Sequence, residues 1–237
     1  MGETTSDYFV HVLDPIVAVA LGGIGLAGAL ALQFAVRRYV TWIYWLAVVM
    51  VAVFGTMAAD ILHIGLGIPY LVSSVFFALV LAGIFVAWYF SERTLSIHSI
   101  YTPGRETFYW TTVVTTFALG TAVGDMTATA MHLGYFASGV MFAILITVVT
   151  VGHYIVSGFL AKEHRQGSRN AVFAFWLAYS LTRPLGASFA DWLGVSHARG
   201  GLELGTGRVS LALLFAIVGF VAYLAISGRD VEREHNA

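Results

Sequence analysis

Apolar residues in this chain fall in long unbroken runs. A bilayer-spanning helix needs roughly 20 such residues, and seven stretches qualify: Ile16–Val36, Tyr39–Ile64, Pro69–Phe90, Phe108–Met131, Tyr135–Leu160, Ala171–Ala190 and Val209–Ile226. A shorter apolar stub precedes Pro15. The runs are long rather than short and alternating, with period-two alternation confined to Thr94–Ile100 in a loop, and no linker is long enough to divide the chain, so outer-membrane barrels and multidomain arrangements are set aside. The expected fold class is all-α: a polytopic membrane protein with seven full transmembrane helices and a truncated first helix, forming one integral membrane domain over residues 1–237.

Composition agrees with the pattern. Of 237 residues, 59% are hydrophobic and only 11% charged, with a mean hydropathy of +0.83. A chain with so few polar groups cannot cover a soluble surface. The net charge of −1 leaves no basic footprint for nucleic acid. With no cysteine, disulfides, thiolate metal sites and cysteine nucleophiles are excluded together. Residues 1–7 lack the cationic start of a signal peptide.

Basic residues set the expected orientation. Arg37, Arg38, Arg93, Arg105, Lys162, Arg165, Arg169, Arg229 and Arg233 fall on one side, nine of the chain's twelve. That side should be cytoplasmic and hold the C-terminus. Opposite loops are short and mostly uncharged, except the last, which carries Arg199 and Arg208. Trp42, Trp45, Trp88, Trp110 and Trp176 would mark the inner interface, and Tyr70, Tyr135 and Trp192 the outer.

The strongest signal is internal repetition. A glycine followed five residues later by aspartate occurs at Gly2–Asp7, Gly55–Asp60, Gly120–Asp125 and Gly186–Asp191. Trp45, Trp110 and Trp176 precede the last three glycines by ten residues. Small hydroxyl residues recur inside the motif at Thr4, Thr56, Thr121 and Ser188, while Tyr70, Tyr135, Ser73 and Ser138 follow in register. The expectation is four parallel two-helix hairpin repeats, approximately 1–37, 38–92, 103–163 and 169–228. The first repeat is short: its tryptophan would fall ahead of Met1. A start upstream, and eight spans in the complete form, is the expectation.

Among the acidic residues, Asp60, Asp125 and Asp191 lie within apolar runs, joined by Asp7 through repeat alignment; the others are assigned to loops or tails. A central aspartate costs about 2.5–3.5 kcal/mol to insert, so these four need protons, a cation or a basic partner. Arg183 alone among arginines lies inside a span, and is the expected charge partner or gate. Pro184 should open the helix near Ser180. An all-oxygen set suits a hard cation such as Mg²⁺, Mn²⁺ or Ca²⁺. The expected metal ligands are Asp60, Asp125 and Asp191, with Asp7, Thr56, Thr121 and Ser188 completing the ion site. Gly55, Gly120 and Gly186 would let the helices approach closely.

Other signals are weaker. His11, His63 and His132 follow their aspartates at unequal offsets, and His153 is mid-span. These disagreements argue against a di-histidine haem site using His63, His132 or His153. The glycine run Gly22–Gly28 sits inside a span, so it reads as a packing face rather than a phosphate loop. No serine-histidine-aspartate order, metalloprotease motif or P-loop occurs, so no enzymatic activity is expected.

The stretches Thr182–Asp191, Phe108-Tyr109-Trp110 and Gly120–Asp125 resemble a bacterial family of uncharacterised membrane-anchored proteins, over the chain from Gly2 to about Ile226. That resemblance implies an inner-membrane protein with a full leading helix in its first repeat, and implies no established activity. A narrower similarity, limited to glycine-aspartate pairs on repeated helices, is to bacterial manganese and calcium exchangers; the glutamate and basic residue of their motif are lacking at Gly124-Asp125. The functional expectation is a secondary transporter or channel for a small cation, in contact with the lipid bilayer. The alternative is a non-enzymatic scaffold or sensor in which the aspartates are structural partners of Arg183.

Overall fold

A computed structural model describes residues 1–36, 38–159 and 164–227, with side chains at 98, 157–159 and 164–169 outside the description. Of the basic residues used for orientation, Arg37, Lys162, Arg229 and Arg233 lie outside the described residues, as do the side chains of Arg165 and Arg169.

Eight α-helices are described: α1 (Gly2–Val12), α2 (Pro15–Ala35), α3 (Thr41–Asp60), α4 (Tyr70–Glu92), α5 (Pro103–Asp125), α6 (Tyr135–Phe159), α7 (His164–Gly194) and α8 (Thr206–Ser227). Proline at the first helical position, with a side-chain cap, starts two of them. Asp14 accepts from Ile16 and Val17 ahead of α2, and Thr102 accepts from Arg105 ahead of α5. The polar turns at 103–107 and 164–170 therefore extend α5 and α7 beyond their apolar runs.

Among the described residues, five segments are long and apolar enough to cross a bilayer: Pro15–Ala35, Thr41–Gly65, Tyr70–Glu92, Tyr135–Val156 and Thr206–Ser227. The motif helices α5 and α7 are long but more polar. On α5, Thr112, Thr115, Thr116 and Thr121 are all buried. Thr115 and Thr116 satisfy their hydroxyls on the carbonyls of Thr111 and Val113. A helix ringed by other helices can carry such groups, since they face protein rather than lipid.

The four motif helices form an inner ring, α1 on α3, α3 on α5, α5 on α7 and α7 on α1. The outer helices interlock the repeats: α2 packs mainly on α3, α4 on α5, α6 on α7, and α8 on α1. Each outer helix thus covers the motif helix that follows it in the ring rather than only the one that precedes it in sequence. Between lipid-embedded helices, association rests on close packing rather than on expulsion of water. Accordingly, a Cβ on Gly22 would lie 2.7 Å from Met57 Sδ, and one on Gly25 would lie 2.5 Å from Met50 Cε. The glycine run of α2 is a packing face on α3.

The motif glycines repeat this device. A Cβ on Gly2 would lie 2.7 Å from the Ala52 carbonyl carbon, and one on Gly55 would lie 2.5 Å from Phe117 Cβ; one on Gly120 would overlap Arg183 Cβ. Ala52, Phe117 and Arg183 each stand three residues ahead of their own motif glycine, so three interfaces share one register. Gly186 departs from the expectation: a Cβ there would have no neighbour within 4 Å. On α7 the close approach to α1 lies nearer the motif end, where Gly194 faces Thr4 and Thr206.

The helix α7 runs on through Pro184, whose missing N–H deprives the Ser180 carbonyl of its helical donor. One further expectation is corrected. Trp88, Trp110 and Trp176 are buried and packed against other rings rather than turned to the interface: Trp88 and Trp176 are 5.8 Å apart, and Trp110 and Tyr44 are 5.6 Å apart.

Candidate cation site

Immediately after the motif aspartate, α3 and α5 each widen into one π-helical turn, Ile61–Gly65 and Met126–Ala130. Such turns displace the backbone ladder and often mark functional positions. The following helix ties each turn down: Ser73 Oγ lies 3.2 Å from His63 Nδ1, and Ser138 Oγ donates to Thr127 Oγ1 at 3.0 Å. His63 also packs against Tyr70, with centroids 4.4 Å apart and the rings tilted by 41°. The repeated serines thus fix the aspartate-bearing ends of α3 and α5.

Carboxylates from three repeats converge beside these turns. One oxygen each from Glu3, Asp125 and Asp191 lies within 4.8 Å of the other two. Glu3 and Asp191 are buried, and Asp125 is half-buried. Thr121 Oγ1 donates to Glu3 Oε2 at 2.7 Å, Thr56 Oγ1 donates to the same oxygen at 3.3 Å, and the two hydroxyls are 3.2 Å apart. Glu3, Thr56 and Thr121 each follow their motif glycine directly, so pseudosymmetry brings one motif position from three repeats together. Ser188 Oγ is buried on α7 with no hydrogen-bond partner. It lies 3.6 Å from where a Cβ on Gly124 would stand, next to Asp125.

The remaining expected residues sit around this centre. Ser6 Oγ donates to Asp60 Oδ2 at 3.2 Å, and Asp60 is outside the converging trio. Asp7 is half-buried on α1; its backbone carbonyl lies 2.7 Å from His11 Nδ1. Thr4 Oγ1 donates to the Met1 carbonyl at 3.2 Å and turns away from the carboxylates. Glu3, expected in a loop or tail, is instead a buried member of the cluster on α1. Its signal was positional, as the acidic counterpart of Thr56 and Thr121.

Arg183 does not pair with any of these groups. Among the described residues the ion pairs are Arg105 with Glu92 and His197 with Glu203. The Arg183 guanidinium instead lies between two ring faces, 4.0 Å from the Phe117 centroid and 4.1 Å from that of Tyr179. Its Nε is buried without a hydrogen-bond partner. Arg183 precedes Asp191 by eight residues on one helix, roughly 12 Å of rise, which puts charge and countercharge at different depths.

The arrangement is a set of oxygen donors, and among the described residues no arginine, lysine or histidine side chain forms an ion pair with Glu3, Asp125 or Asp191. Carboxylate, hydroxyl and carbonyl oxygens are the ligands of hard cations. By its sequence the chain belongs to a family described as a Repeat of Unknown Function (DUF347), which matches residues 43–94, 108–159 and 174–230. Each matched segment carries one glycine-aspartate motif. No curated protein and no solved structure is significantly similar to the chain. It is a repeat-containing protein with helices suited to a multi-pass membrane location.

Proposed function

We propose that the protein is a secondary transporter or channel for a small cation, with a divalent metal ion as the best fit. The observation that carries this reading is the meeting of Glu3, Asp125 and Asp191 within 4.8 Å. Three carboxylates that close, unpaired with any arginine or lysine, are stabilised by a bound cation. Glu3, Asp125 and Asp191 are the charged ligands, with Ser188 in position to add a hydroxyl oxygen. Thr56 and Thr121 hold Glu3, and Asp60 and Asp7 extend the negative field. In this reading α5 and α7 also cross the bilayer, giving seven full spans, with α1 reaching only part of the way and the C-terminus in the cytoplasm of a bacterial cell.

The scaffold reading, in which the aspartates serve as structural partners of Arg183, draws no support from the position of that arginine between Phe117 and Tyr179. Reconstitution into liposomes, loaded with a metal-sensitive dye, tests the transport reading. The wild-type chain should admit at least one of Mg²⁺, Mn²⁺ and Ca²⁺ well above empty vesicles, and Asp125→Asn of equal monodispersity should return flux to that background. Absence of flux for all three ions would count against it.

A further inference from the structure

We propose that Arg199 is a charge gate for this site: a guanidinium poised at its motif-side mouth, competing with the cation for the same carboxylates. The inference rests on the cation reading above. It adds the residue that regulates access and affinity.

The loop after α7 is built to hold this side chain. One 3₁₀ turn, His197–Arg199, follows the helix, and the chain then doubles back onto it. Leu202 N donates to the Trp192 carbonyl at 2.7 Å, Glu203 N to Val195 at 2.9 Å, and Leu204 N to Leu193 at 3.1 Å. His197 N donates to Glu203 Oε2 at 3.2 Å, and His197 Nδ1 lies 2.8 Å from the Gly201 carbonyl. A Cβ on Gly201 would overlap the Val195 carbonyl oxygen, so the fold-back closes this tightly only around glycine.

Within that frame Arg199 Nη2 donates to the Tyr135 hydroxyl at 2.9 Å. Tyr135 is buried against Ala128, Val195 and Trp192. Ala128 stands three residues beyond Asp125, and Val195 four beyond Asp191. The hydroxyl that anchors the arginine is thus seated about one helical turn outward of two carboxylates of the trio.

No carboxylate lies within ion-pair distance of Arg199 among the described residues, yet it feels the negative charge of Asp191 and Asp7. Burial opposes its charge, but Tyr135, Asp191 and Asp7 outweigh that, and the guanidinium is held above its ordinary pKa. Attraction without direct contact is what a displaceable countercharge requires: it lowers the site's net charge without filling it. Arg183, within α7, is engaged by its two rings. The position also explains why the last motif-side loop carries basic residues when the others carry almost none. Tyr70, the counterpart of Tyr135, packs on His63 instead, so the gate belongs to one repeat only.

The test uses Mn²⁺ as probe, with binding to the purified full-length chain in lipid nanodiscs read by electron paramagnetic resonance. Arg199→Gln should tighten Mn²⁺ binding about tenfold at low salt, the effect of removing one partly screened charge. The gain should shrink as ionic strength rises. Arg208→Gln, which removes the other basic residue from that side, should leave the affinity within twofold. Binding by wild type and Arg199→Gln with the same dissociation constant would overturn the gate and leave the cation reading standing. Mn²⁺ binding by neither protein would overturn both.

Discussion

Glu3 shows how one residue can turn a repeated packing motif into a chemical site. Its neighbours in symmetry, Thr56 and Thr121, both bond its Oε2. The carboxylate is thereby aimed while Oε1 has no bond to either threonine. Where a polar side chain replaces a small one at a single copy of a repeat, the symmetric contacts of the other copies become its supports. The aspartates were legible in the sequence because a charge within an apolar run stands out. Glu3 was not, because residues 2–12 are too few and too polar to read as a span, and only three-dimensional convergence reveals its role. Arg183 was legible as a charge inside the bundle, but not as one stacked between rings, since Phe117 and Tyr179 come from two different helices.

At the scale of the helix, glycine decides how closely neighbours pack, and its cost depends on what faces it. A methyl group at Gly120 would overlap Arg183 Cβ and meet the Pro184 nitrogen at 3.0 Å. Gly120→Ala should therefore destabilise the bundle by about 1–3 kcal/mol, as overpacking does. Gly186→Ala meets nothing within 4 Å and should be neutral or stabilising by up to about 1 kcal/mol through helix propensity. Thermal unfolding of the two variants in detergent checks the difference, and equal melting temperatures would refute the packing argument. Helix positions were readable from hydrophobic runs to within a few residues, with larger extensions where α5 and α7 begin in polar turns. The π-helical turns after Asp60 and Asp125 were not, since no composition marks them. Nor was the interlocking of repeats, because a hydrophobic period tells that a face is buried and not which helix buries it.

For the whole molecule, the class of protein followed from composition and run length, while the ring of four motif helices needed the fold. In the proposed arrangement, parallel repetition would put all motif ends on one side of the bilayer. The absence of cysteine makes this directly measurable by single-cysteine labelling in intact cells. Leu66→Cys, Leu133→Cys and Leu202→Cys, all at exposed motif-side positions, should react with a membrane-impermeant maleimide. Tyr101→Cys, at a residue 84% exposed at the opposite end, should react only after the membrane is opened. Labelling of Tyr101→Cys from outside together with the three leucine positions, or labelling of only some of those three, would contradict the parallel arrangement; labelling of Tyr101→Cys alone would reverse the orientation.

Whether Glu3, Asp125 and Asp191 form one cation site is decided by isothermal titration of the purified chain with Mg²⁺, Mn²⁺ and Ca²⁺. Saturable binding of at least one ion at a single stoichiometric site is expected, weakened at least tenfold in each of Glu3→Gln, Asp125→Asn and Asp191→Asn while the melting temperature of the unliganded protein is kept. Saturable binding that survives all three substitutions, or none by the wild-type chain, would contradict it.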